Sequence, residues 1–498
     1  RYGFWNIGSK FILAVLFVVL SGVQSGVAND NQNISSSQTT AEVKVHGGVP
    51  TLFINGTPKS PMTFFPLTDT KPEYIRQLDN SGREIYFVAH YVEGKWGMPD
   101  NPNGGNFAEL DNSIAGTLGA HPNAYIIIRT SYSGKMPEGW ADKHPDELFR
   151  LQDGKTTMED RYSFASEVWK EDVSKSLVAY VNHIKKAWYN DRIIGYVIGA
   201  GSTDEWGHWA SDFDYSPAMN KFFRQWLSKK YKGEDSVLRK AWGDDTVSLK
   251  DVGVPAHNEG WRYTFGPFMN PSISQKGSDY YECHNDVVAD KIIHFAKVIK
   301  KATDGKAIVG FSTINLAEVH YLLSGHTAVR EVLNTPEIDF FWSPPPYENR
   351  SLGNDAPFRS VTDSLKLHGK LWFAENDTRT HLEHDRQYGS PDTTEGSVAI
   401  LRRDFCNVLT HGDMGWWMQG KGNYDDPEII KALCQMQEIG RLSLAYDRSF
   451  KGGIAVIIDQ DSFFLTHQAF TFYLLHRERI HELGRIGTVC DFYLLDDL

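Results

Sequence analysis

Eight short apolar runs, separated by segments with helical periodicity, are the feature of this sequence that most restricts its fold. The runs lie at residues 62–65, 84–89, 125–128, 193–198, 307–311, 338–342, 371–374 and 414–418. Apolar residues recur at helical spacing between several of them, for example over 173–188, 219–227 and 288–299. Strands that alternate with helices pair in parallel, and eight such units close into a barrel. The sequence therefore predicts an α/β fold, a (β/α)₈ TIM barrel.

A doubly wound open sheet is the alternative arrangement of such units. That fold is favoured by a Gly-rich phosphate loop after the first strand, and no such loop follows residues 62–65. The predicted barrel domain, residues 48–450, is longer than the roughly 250 residues typical of the fold. The excess lies in residues 91–123, 131–170 and 200–285, each of which follows a strand. We expect these segments on the C-terminal face, where barrel enzymes build their sites.

The N-terminus has the pattern of a secretory signal peptide. Arg1 and Lys10 supply positive charge, residues 11–20 are an apolar run of ten, and small residues precede Asn29. This run is too short for a typical membrane-spanning helix. We predict a signal peptide over residues 1–28, a secreted or periplasmic protein, and no stable membrane insertion after cleavage. An uncleaved anchor is the alternative. The polar residues that follow, 29–47, are predicted to form a linker.

Charge and cysteine usage exclude several classes of partner and site. The net charge is −12 and no dense basic cluster is present, which argues against nucleic acid as the main partner. The four cysteines are far apart and form no C-x-x-C pair, so we predict neither a structural zinc site nor a disulfide framework. Cys406 and Cys434 lie in apolar helical patterns and are expected to be buried free thiols.

Two glutamates occupy places where a barrel enzyme carries catalytic carboxyls. Glu375 directly follows the run 371–374, and Glu205 follows the run 193–198 after a turn rich in Gly and Ser. Glycoside hydrolysis needs two carboxyl groups that flank the scissile bond, about 5–5.5 Å apart in retaining enzymes. Neighbouring Trp side chains would raise the pKa of Glu205 as a general acid requires. A salt-bridged strand end at Glu375 and a surface helix start at Glu205 are the alternatives.

The sequence resembles glycoside hydrolases of family 42, the β-galactosidase-like members of a large clan of retaining barrels. The resemblance depends on Glu205 and Glu375, the helix with Trp226 and Tyr231 that leads to 241–243, the turn 343–347, and His411-Gly412. It implies that Glu205 is the acid/base and Glu375 the nucleophile of a double displacement on β-linked glycosides. It also implies that residues 451–498 are the truncated start of a flavodoxin-like trimerisation domain, with a homo-oligomer in the full-length protein.

Two features depart from the resemblance. The clan usually has Asn immediately before the acid/base, where it contacts the sugar 2-hydroxyl, and this chain has Asp204. That difference bears on the substrate more than on the reaction type. Some family members carry a cysteine-rich zinc site, which the four scattered cysteines do not reproduce. The mechanism requires neither a metal nor an organic cofactor.

Nine further residues are candidates for contact with a carbohydrate substrate. They are Asp204, Trp206 and Trp209 beside Glu205; Arg129, His320, Tyr347 and Asn376 after the third, fifth, sixth and seventh strands; and Trp416 and Trp417 in the eighth. One of the last two indoles is expected to face the barrel interior and the other the helix layer. Each candidate has a purely structural role as its alternative. Asp413 precedes the eighth strand and is expected at the end of the barrel opposite to catalysis.

Two other functions remain open at this point. The same mechanism could act on another polysaccharide, such as an agar or a mannan, because the long segments after the strands suit a large substrate. A catalytically idle carbohydrate-binding barrel is the alternative from a different class, and the presence of both glutamates argues against it.

Overall fold

The computed structural model describes residues 39–66, 75–76, 84–92, 107–133, 136–155, 161–208, 212–261, 263–265, 268–316, 323–383, 388–419, 424–466 and 482–498. The predicted signal peptide and the first part of the predicted linker lie outside these residues. So do two candidate site residues, Trp209 and His320.

The described strands are numbered in chain order. They are β1 Ala41–His46, β2 Val49–Ile54, β3 Thr57–Pro58, β4 Met62–Pro66, β5 Ile85–Tyr91, β6 Tyr125–Ser131, β7 Ile193–Gly199, β8 Tyr263–Phe265, β9 Phe268–Met269, β10 Ile308–Phe311, β11 Phe340–Ser343, β12 Leu371–Asn376, β13 Met414–Gln419, β14 Ile454–Ile458 and β15 Cys490–Leu494.

The described α-helices are numbered in the same way. They are α1 Phe107–Ala120, α2 Trp140–Lys143, α3 Glu167–Lys186, α4 Pro217–Lys230, α5 Asp235–Trp242, α6 Pro271–Ala302, α7 Val329–Leu333, α8 Thr362–Leu367, α9 Thr394–His411 and α10 Pro427–Ser443.

The eight predicted strands form a closed parallel barrel. Around the barrel, β4, β5, β6, β7, β10, β11, β12 and β13 pair in that order, and β13 pairs with β4 to close it. The prediction of a (β/α)₈ barrel is confirmed, and closure excludes the open-sheet alternative. Each strand begins within two residues of the start of the apolar run that predicted it and ends within three residues of its end, because a strand buried on both faces has a nearly continuous hydrophobic sequence.

Alternation along each strand separates two apolar layers. One cluster fills the barrel interior, and its members include Phe65, Phe87, Ile127, Phe340, Trp342, Phe373 and Trp416. The intervening residues face outward and pack against the helices, as Ile126, Ile128 and Trp372 do. Because strand side chains alternate with period two, the inward position of one residue fixes the direction of the residue two places later.

An antiparallel hairpin precedes the barrel. Its strands β1, β2 and β3 pair in order, and Asn55 and Gly56 form the β2–β3 turn with φ of 49° and 76°. Positive φ at both central residues is the requirement of a type I′ turn, which Asn-Gly satisfies. The predicted linker over residues 29–47 is therefore wrong at its C-terminal end. There, Ala41–His46 forms a full ladder with β2, and Ala41 is buried in the interior cluster.

Two expectations about buried helix faces are also wrong. Trp188 was grouped with the apolar face of α3, but the helix ends at Lys186 and the indole is 71% exposed. Periodicity stops being informative where the backbone leaves the helix. Cys406 is exposed and Cys434 is only half-buried, although both are free thiols as expected. A helix in an outer layer has a solvent face, and a small apolar residue can occupy it at little cost.

The described residues of the C-terminal segment, 451–466 and 482–498, pack directly against the barrel. Strands β14 and β15 form a parallel pair, and Phe492 N–H donates to Asp363 Oδ2 of α8 at 2.8 Å. Phe463 and Leu494 belong to the same apolar cluster as the helix layer. The identification of this segment as the start of a trimerisation domain stays a prediction. Within the described residues, no helix has both the length and the apolar character of a membrane span.

Candidate active site

The C-terminal ends of the barrel strands bring the candidate carboxyls to one mouth. On β12, Leu371 and Phe373 belong to the interior cluster, so Glu375, near the C-terminal end of the strand, also points into the barrel. On β6, Ile127 is interior, so Arg129 and Ser131 point inward as well. The sequence predicted Glu375 and Arg129 at strand ends, and the structure directs both into the same end of the barrel.

Glu375 is a buried carboxyl beside two cations. It is 6% exposed, and burial raises its pKa, with smaller contributions in the same direction from the negative charges of Asp377 and Glu205. The guanidinium groups of Arg129 and Arg350 oppose this shift because they favour the ionised form. The negative charge of Glu205 therefore acts on Glu375.

Glu205 lies in a strained turn after β7. Its neighbours Asp204 and Trp206 have φ of 64° and 58°, a region that residues with a side chain rarely adopt. Glu205 itself is half-buried, and Thr203 Oγ1 donates to its Oε2 at 2.9 Å. Burial raises the pKa of Glu205, and the charge of Arg359 is the largest opposing influence. The turn thus directs a carboxyl with a raised pKa into the mouth.

Asp204 is fully engaged by the protein. Arg129 Nη2 donates to its Oδ2 at 3.2 Å, and the hydroxyls of Ser131 and Ser133 both donate to its Oδ1 at 2.5 Å. Gly199 makes room for it, since a Cβ there would lie 2.5 Å from Asp204 Cβ and Cγ. Asp204 was a candidate for contact with a sugar. In the structure it instead holds Arg129 and two serines in place.

Arg129 is the central cation of the mouth. Its guanidinium lies 4.6 Å from the ring centroid of Trp342 and 5.8 Å from that of Phe65. Its charge interacts with Asp204, Glu375, Tyr91 and Glu205, in decreasing order. These interactions raise the pKa of Arg129 against the effect of its burial. One guanidinium therefore links both candidate catalytic carboxyls.

Tyr347 belongs to a second polar group at the same mouth. Its hydroxyl donates to Asp377 Oδ2 at 3.2 Å, and Arg350 Nη1 donates to Asp377 Oδ1 at 2.5 Å. The Arg350 guanidinium also lies 3.8 Å from the Tyr347 ring centroid, and that of Arg359 lies 5.3 Å away. Burial raises the pKa of Tyr347, so the phenol stays protonated and can donate. Tyr347 thus lies in the polar group around Asp377, and its contact with a substrate stays a prediction.

Several predicted contact residues lie away from the mouth. Trp206 has no exposed surface, donates to Ile198 O at 2.8 Å, and packs against Phe164 and Phe311 in the helix layer. Asn376 alternates with Glu375 and therefore faces the helices, where it is 2% exposed. The structure therefore corrects the expected direction of Trp206 and Asn376: each is adjacent in sequence to a candidate catalytic glutamate, but its side chain points away from the mouth.

The two indoles of β13 divide between the layers as expected. Trp416 is interior, with its ring 5.3 Å from Phe65 and 4.7 Å from Trp342, whereas Trp417 packs in the helix layer near Phe405. Both are fully buried, so neither offers a face to a substrate in this conformation. Trp416 instead packs against Phe65 and Trp342, the two rings over which the Arg129 guanidinium lies.

Other residues of the mouth were missed by sequence reasoning. They are Tyr91, Ser131, Ser133, His326, Arg350, Arg359 and Asp377. Tyr91 and Ser131 could have been found, since each lies two residues beyond an inward-facing position on its strand. The arginines lie in the loop after β11, where no local pattern indicates direction. Within the described residues, no group of three or more His, Cys, Asp or Glu side chains is arranged to hold a metal ion.

Comparison with known proteins gives a family and a fold. The family model of β-galactosidases of glycoside hydrolase family 42 matches residues 94–379, more than half of the chain. No curated protein matches the chain significantly.

Three solved structures illustrate the likeness in fold. The β-galactosidase of the psychrophilic Marinomonas ef1 has a TM-score of 0.59 at 15% identity, covering 87% of this chain and 69% of that one. A catalytic mutant of a family-42 β-galactosidase from G. stearothermophilus has a TM-score of 0.60 at 11% identity, covering 88% and 66%. The catalytic domain of a β-amylase from Paenibacillus polymyxa has a TM-score of 0.55 at 15% identity, covering 76% and 98%. The chain thus spans about two thirds of the length of the first and second of these proteins.

Proposed function

The chain belongs to glycoside hydrolase family 42 and is a glycosidase of the β-galactosidase type, and we propose that it cleaves β-linked galactosides by double displacement. The observation that carries this proposal is the position of Glu205 and Glu375 at the C-terminal ends of two barrel strands, where the charge of Arg129 acts on both. The two glutamates come from the ends of β7 and β12, the fourth and seventh barrel strands. Two carboxyls on either side of a glycosidic bond are what the reaction requires.

In the first step, the Glu375 carboxylate attacks the anomeric carbon while Glu205 donates its proton to the glycosidic oxygen. The bond to the leaving group breaks and a glycosyl ester of Glu375 forms. In the second step, Glu205, now ionised, removes a proton from water, which attacks the same carbon and releases Glu375. Both displacements invert the anomeric centre, so the product keeps the β configuration.

The electrostatics of the mouth act on both carboxyls. Burial raises the pKa of both carboxyls, so the pair keeps a proton that exposed carboxyls would lose. Of the influences that lower the pKa of Glu375, the charge of Arg129 is the largest. At Glu205, the charge of Arg359 and the hydrogen bond from Thr203 both lower the pKa more than Arg129 does. Burial nevertheless raises the pKa of Glu375 to about 8, so the assignment of nucleophile and acid depends on the places of the two glutamates in the fold and not on their pKa values.

The first experiment measures hydrolysis of nitrophenyl β-galactoside, with the β-glucoside, β-mannoside and β-fucoside alongside, and follows the released anomer by NMR. We expect the β-galactoside to be cleaved fastest and the β-anomer to appear first. Release of the α-anomer would exclude double displacement. Turnover of a polysaccharide such as an agar or a mannan, with no turnover of the aryl galactoside, would reject the galactoside specificity and support the alternative substrate.

Variants assign the two roles. Incubation with a 2-deoxy-2-fluoro-β-galactoside that has a good leaving group should leave an ester on Glu375, detected by peptide mass spectrometry. Glu375→Gln and Glu205→Gln should each lower kcat by at least about 10²-fold while sugar affinity is kept. Glu348→Gln is the matched control, since Glu348 is an exposed carboxyl in the loop after β11. Full activity in both active-site variants would identify a different catalytic pair, and absence of turnover in the wild type with retained sugar binding would indicate a binding barrel.

The N-terminal pattern supports a separate proposal, export of the protein with cleavage after residue 28. Expression of the chain in a bacterial host, followed by N-terminal sequencing of the exported protein, tests it. Recovery of the intact N-terminus in the membrane fraction would identify an anchor instead.

A further inference from the structure

The turn that carries Glu205 is in close contact with the loop after β10. His326 Nε2 forms a hydrogen bond with the Glu205 carbonyl oxygen. A Cβ on Gly325 would lie 3.0 Å from Trp206 O, and one on Gly207 would lie 2.9 Å from Ser324 O. Residues 205–207 therefore face residues 326–324 in antiparallel order, and two glycines make this close approach sterically possible.

The tautomer of His326 follows from its two partners. Asn315 N–H donates to Nδ1 at 3.1 Å, so Nδ1 is the acceptor and Nε2 carries the hydrogen that is donated to Glu205 O. The ring is 1% exposed, and burial lowers its pKa to about 4. The hydrogen bond to Glu205 O opposes that shift and the charge of Arg359 adds to it. His326 therefore stays neutral near pH 7, with Nδ1 bonded to Asn315 in its own loop and Nε2 bonded to Glu205 in the turn after β7.

Both backbone segments that His326 joins are strained. Ile314, immediately before Asn315, has φ of 59°, which is a rare conformation for a β-branched residue. Asp204 and Trp206, on either side of Glu205, have positive φ as well. Such conformations persist only where surrounding contacts fix them, and they concentrate at functional sites. A hydrogen bond between these two strained turns is the kind of contact that holds them.

We propose that His326 is a positioning residue for Glu205: its Nε2–H fixes the Glu205 backbone and thereby the direction in which the carboxyl presents its proton. The inference rests on the proposed role of Glu205 as the acid/base. His326 is too deeply buried to contact the substrate, so it acts only through Glu205. An acid displaced by about an ångström transfers its proton poorly, although the nucleophile on β12 is unaffected.

A pair of substitutions separates the two ends of the imidazole. In His326→Asn, the side-chain oxygen can replace Nδ1 and accept from Asn315 N–H, but the amide is too short to reach Glu205 O. In His326→Gln, the amide nitrogen can replace Nε2 and donate to Glu205 O. The two variants differ by one methylene and test the Glu205 contact directly.

The readout is the dependence of kcat/KM on the leaving group. A dinitrophenyl β-galactoside needs little protonation to depart, whereas an alkyl galactoside needs the acid. We expect His326→Asn to lower kcat/KM for the alkyl galactoside at least about tenfold more than for the dinitrophenyl galactoside, and His326→Gln to restore most of the difference. Equal losses on the two substrates, or equal losses in the two variants, would overturn the inference.

Two further variants serve as an independent test and as a reference. Gly207→Ala should give the same leaving-group signature with His326 intact, since its Cβ would push the Glu205 turn away from Ser324 O. It remains informative if the histidine variants fail to fold, and a uniform loss on both substrates would again count against the inference. Glu205→Gln is the reference variant. If it lowers kcat/KM equally for the two substrates, the acid/base assignment of Glu205 fails. If it lowers kcat/KM more for the alkyl galactoside but His326→Asn and Gly207→Ala do not, only the role of His326 is rejected.

Discussion

Arg129 donates to Asp204 across the mouth of the barrel, with Nη2 3.2 Å from Oδ2, although the two residues are 75 positions apart. Asp204 is 3% exposed, and the hydroxyls of Ser131 and Ser133 complete its hydrogen bonds. A buried carboxylate is stable only where hydrogen bonds and a counter-charge replace its hydration, and these three donors supply both. The pair therefore fixes the cation whose charge acts on both proposed catalytic carboxyls.

Asp204→Asn tests this pair. The amide NH₂ would face existing donors and leave Arg129 without its counter-charge, so we expect the free energy of unfolding to fall by about 2–4 kcal/mol, with a loss in kcat/KM. Urea unfolding and steady-state kinetics measure the two effects. Ser133→Ala is the control, with a loss of only about 1 kcal/mol, because it removes one donor and no charge. An Asp204→Asn variant as stable as the wild type and more active would mean that Asp204 serves the sugar rather than Arg129.

Arg359→Met should shift the alkaline limb of the pH profile. Burial raises the pKa of Glu205, and Arg359 is the strongest opposing influence. Activity is lost as the pH rises through the pKa of the acid, so removal of the cation should move this limb to higher pH, by about half a unit or more. The measurement is kcat/KM against pH. Arg402→Met is the control, since Arg402 pairs with Gln435 on the outer helices, and a limb that moves downward would contradict the prediction.

Gly199→Ala should reduce activity more than stability. The new Cβ would lie 2.5 Å from Asp204 Cβ and Cγ, so the turn that carries Glu205 must shift. We expect kcat/KM to fall at least about tenfold, as misplacement of a catalytic group does. Gly116→Ala is the matched control: among the described residues, nothing lies within 4 Å of its Cβ, and in helix α1 it should add up to about 1 kcal/mol of stability. Equal kcat/KM in the two variants would show that the absence of a side chain at Gly199 is not required for the position of Asp204.

Trp206→Phe should lower stability without changing sugar affinity. Its indole is fully buried and donates to Ile198 O, so the substitution removes a buried hydrogen bond and leaves a small cavity. We expect the free energy of unfolding to fall by about 1–3 kcal/mol. Thermal unfolding and the inhibition constant of galactose check the two parts. A large rise in that constant at unchanged stability would restore Trp206 as a substrate contact.

Asp413→Asn should stabilise the protein in a pH-dependent way. Burial raises the pKa of Asp413 to about 8, with Lys366 opposing and Asp363 adding to the shift, and its Oδ2 has no hydrogen-bond partner among the described residues. The folded state therefore holds this proton more tightly than the unfolded state, so stability decreases as the pH rises from about 4 to about 8.

The measurement is urea unfolding of Asp413→Asn and wild type at pH 5 and pH 8. The variant should gain relative stability between the two, by at least about 1.4 kcal/mol, the equivalent of one pKa unit. Asp153→Asn, which removes a fully exposed carboxyl, should leave the pH dependence of unfolding nearly unchanged. A constant difference between wild type and Asp413→Asn would mean that Asp413 is ionised in the fold.

The sequence by itself determined the strands, their order and the direction of their side chains. An apolar run predicts a buried strand, and alternation then directs Glu375 inward and should have directed Asn376 outward, because both are properties of a few adjacent residues. The Asn-Gly turn of the hairpin follows from local backbone preferences in the same way. The place of Asp413 could also be predicted from the sequence, because a residue that precedes a barrel strand lies at the end of the barrel opposite to the mouth.

Only the tertiary structure decided which side chains meet. Arg129 and Asp204, and Glu205 and His326, are separated by 75 and 121 residues, and no local period reports such a distance. Trp206 is adjacent to Glu205 in sequence but is turned into the helix layer by a positive φ that its own residue type disfavours. Closure of the barrel and contacts between its loops impose these conformations, and their energy comes from packing that exists only once the whole chain has folded.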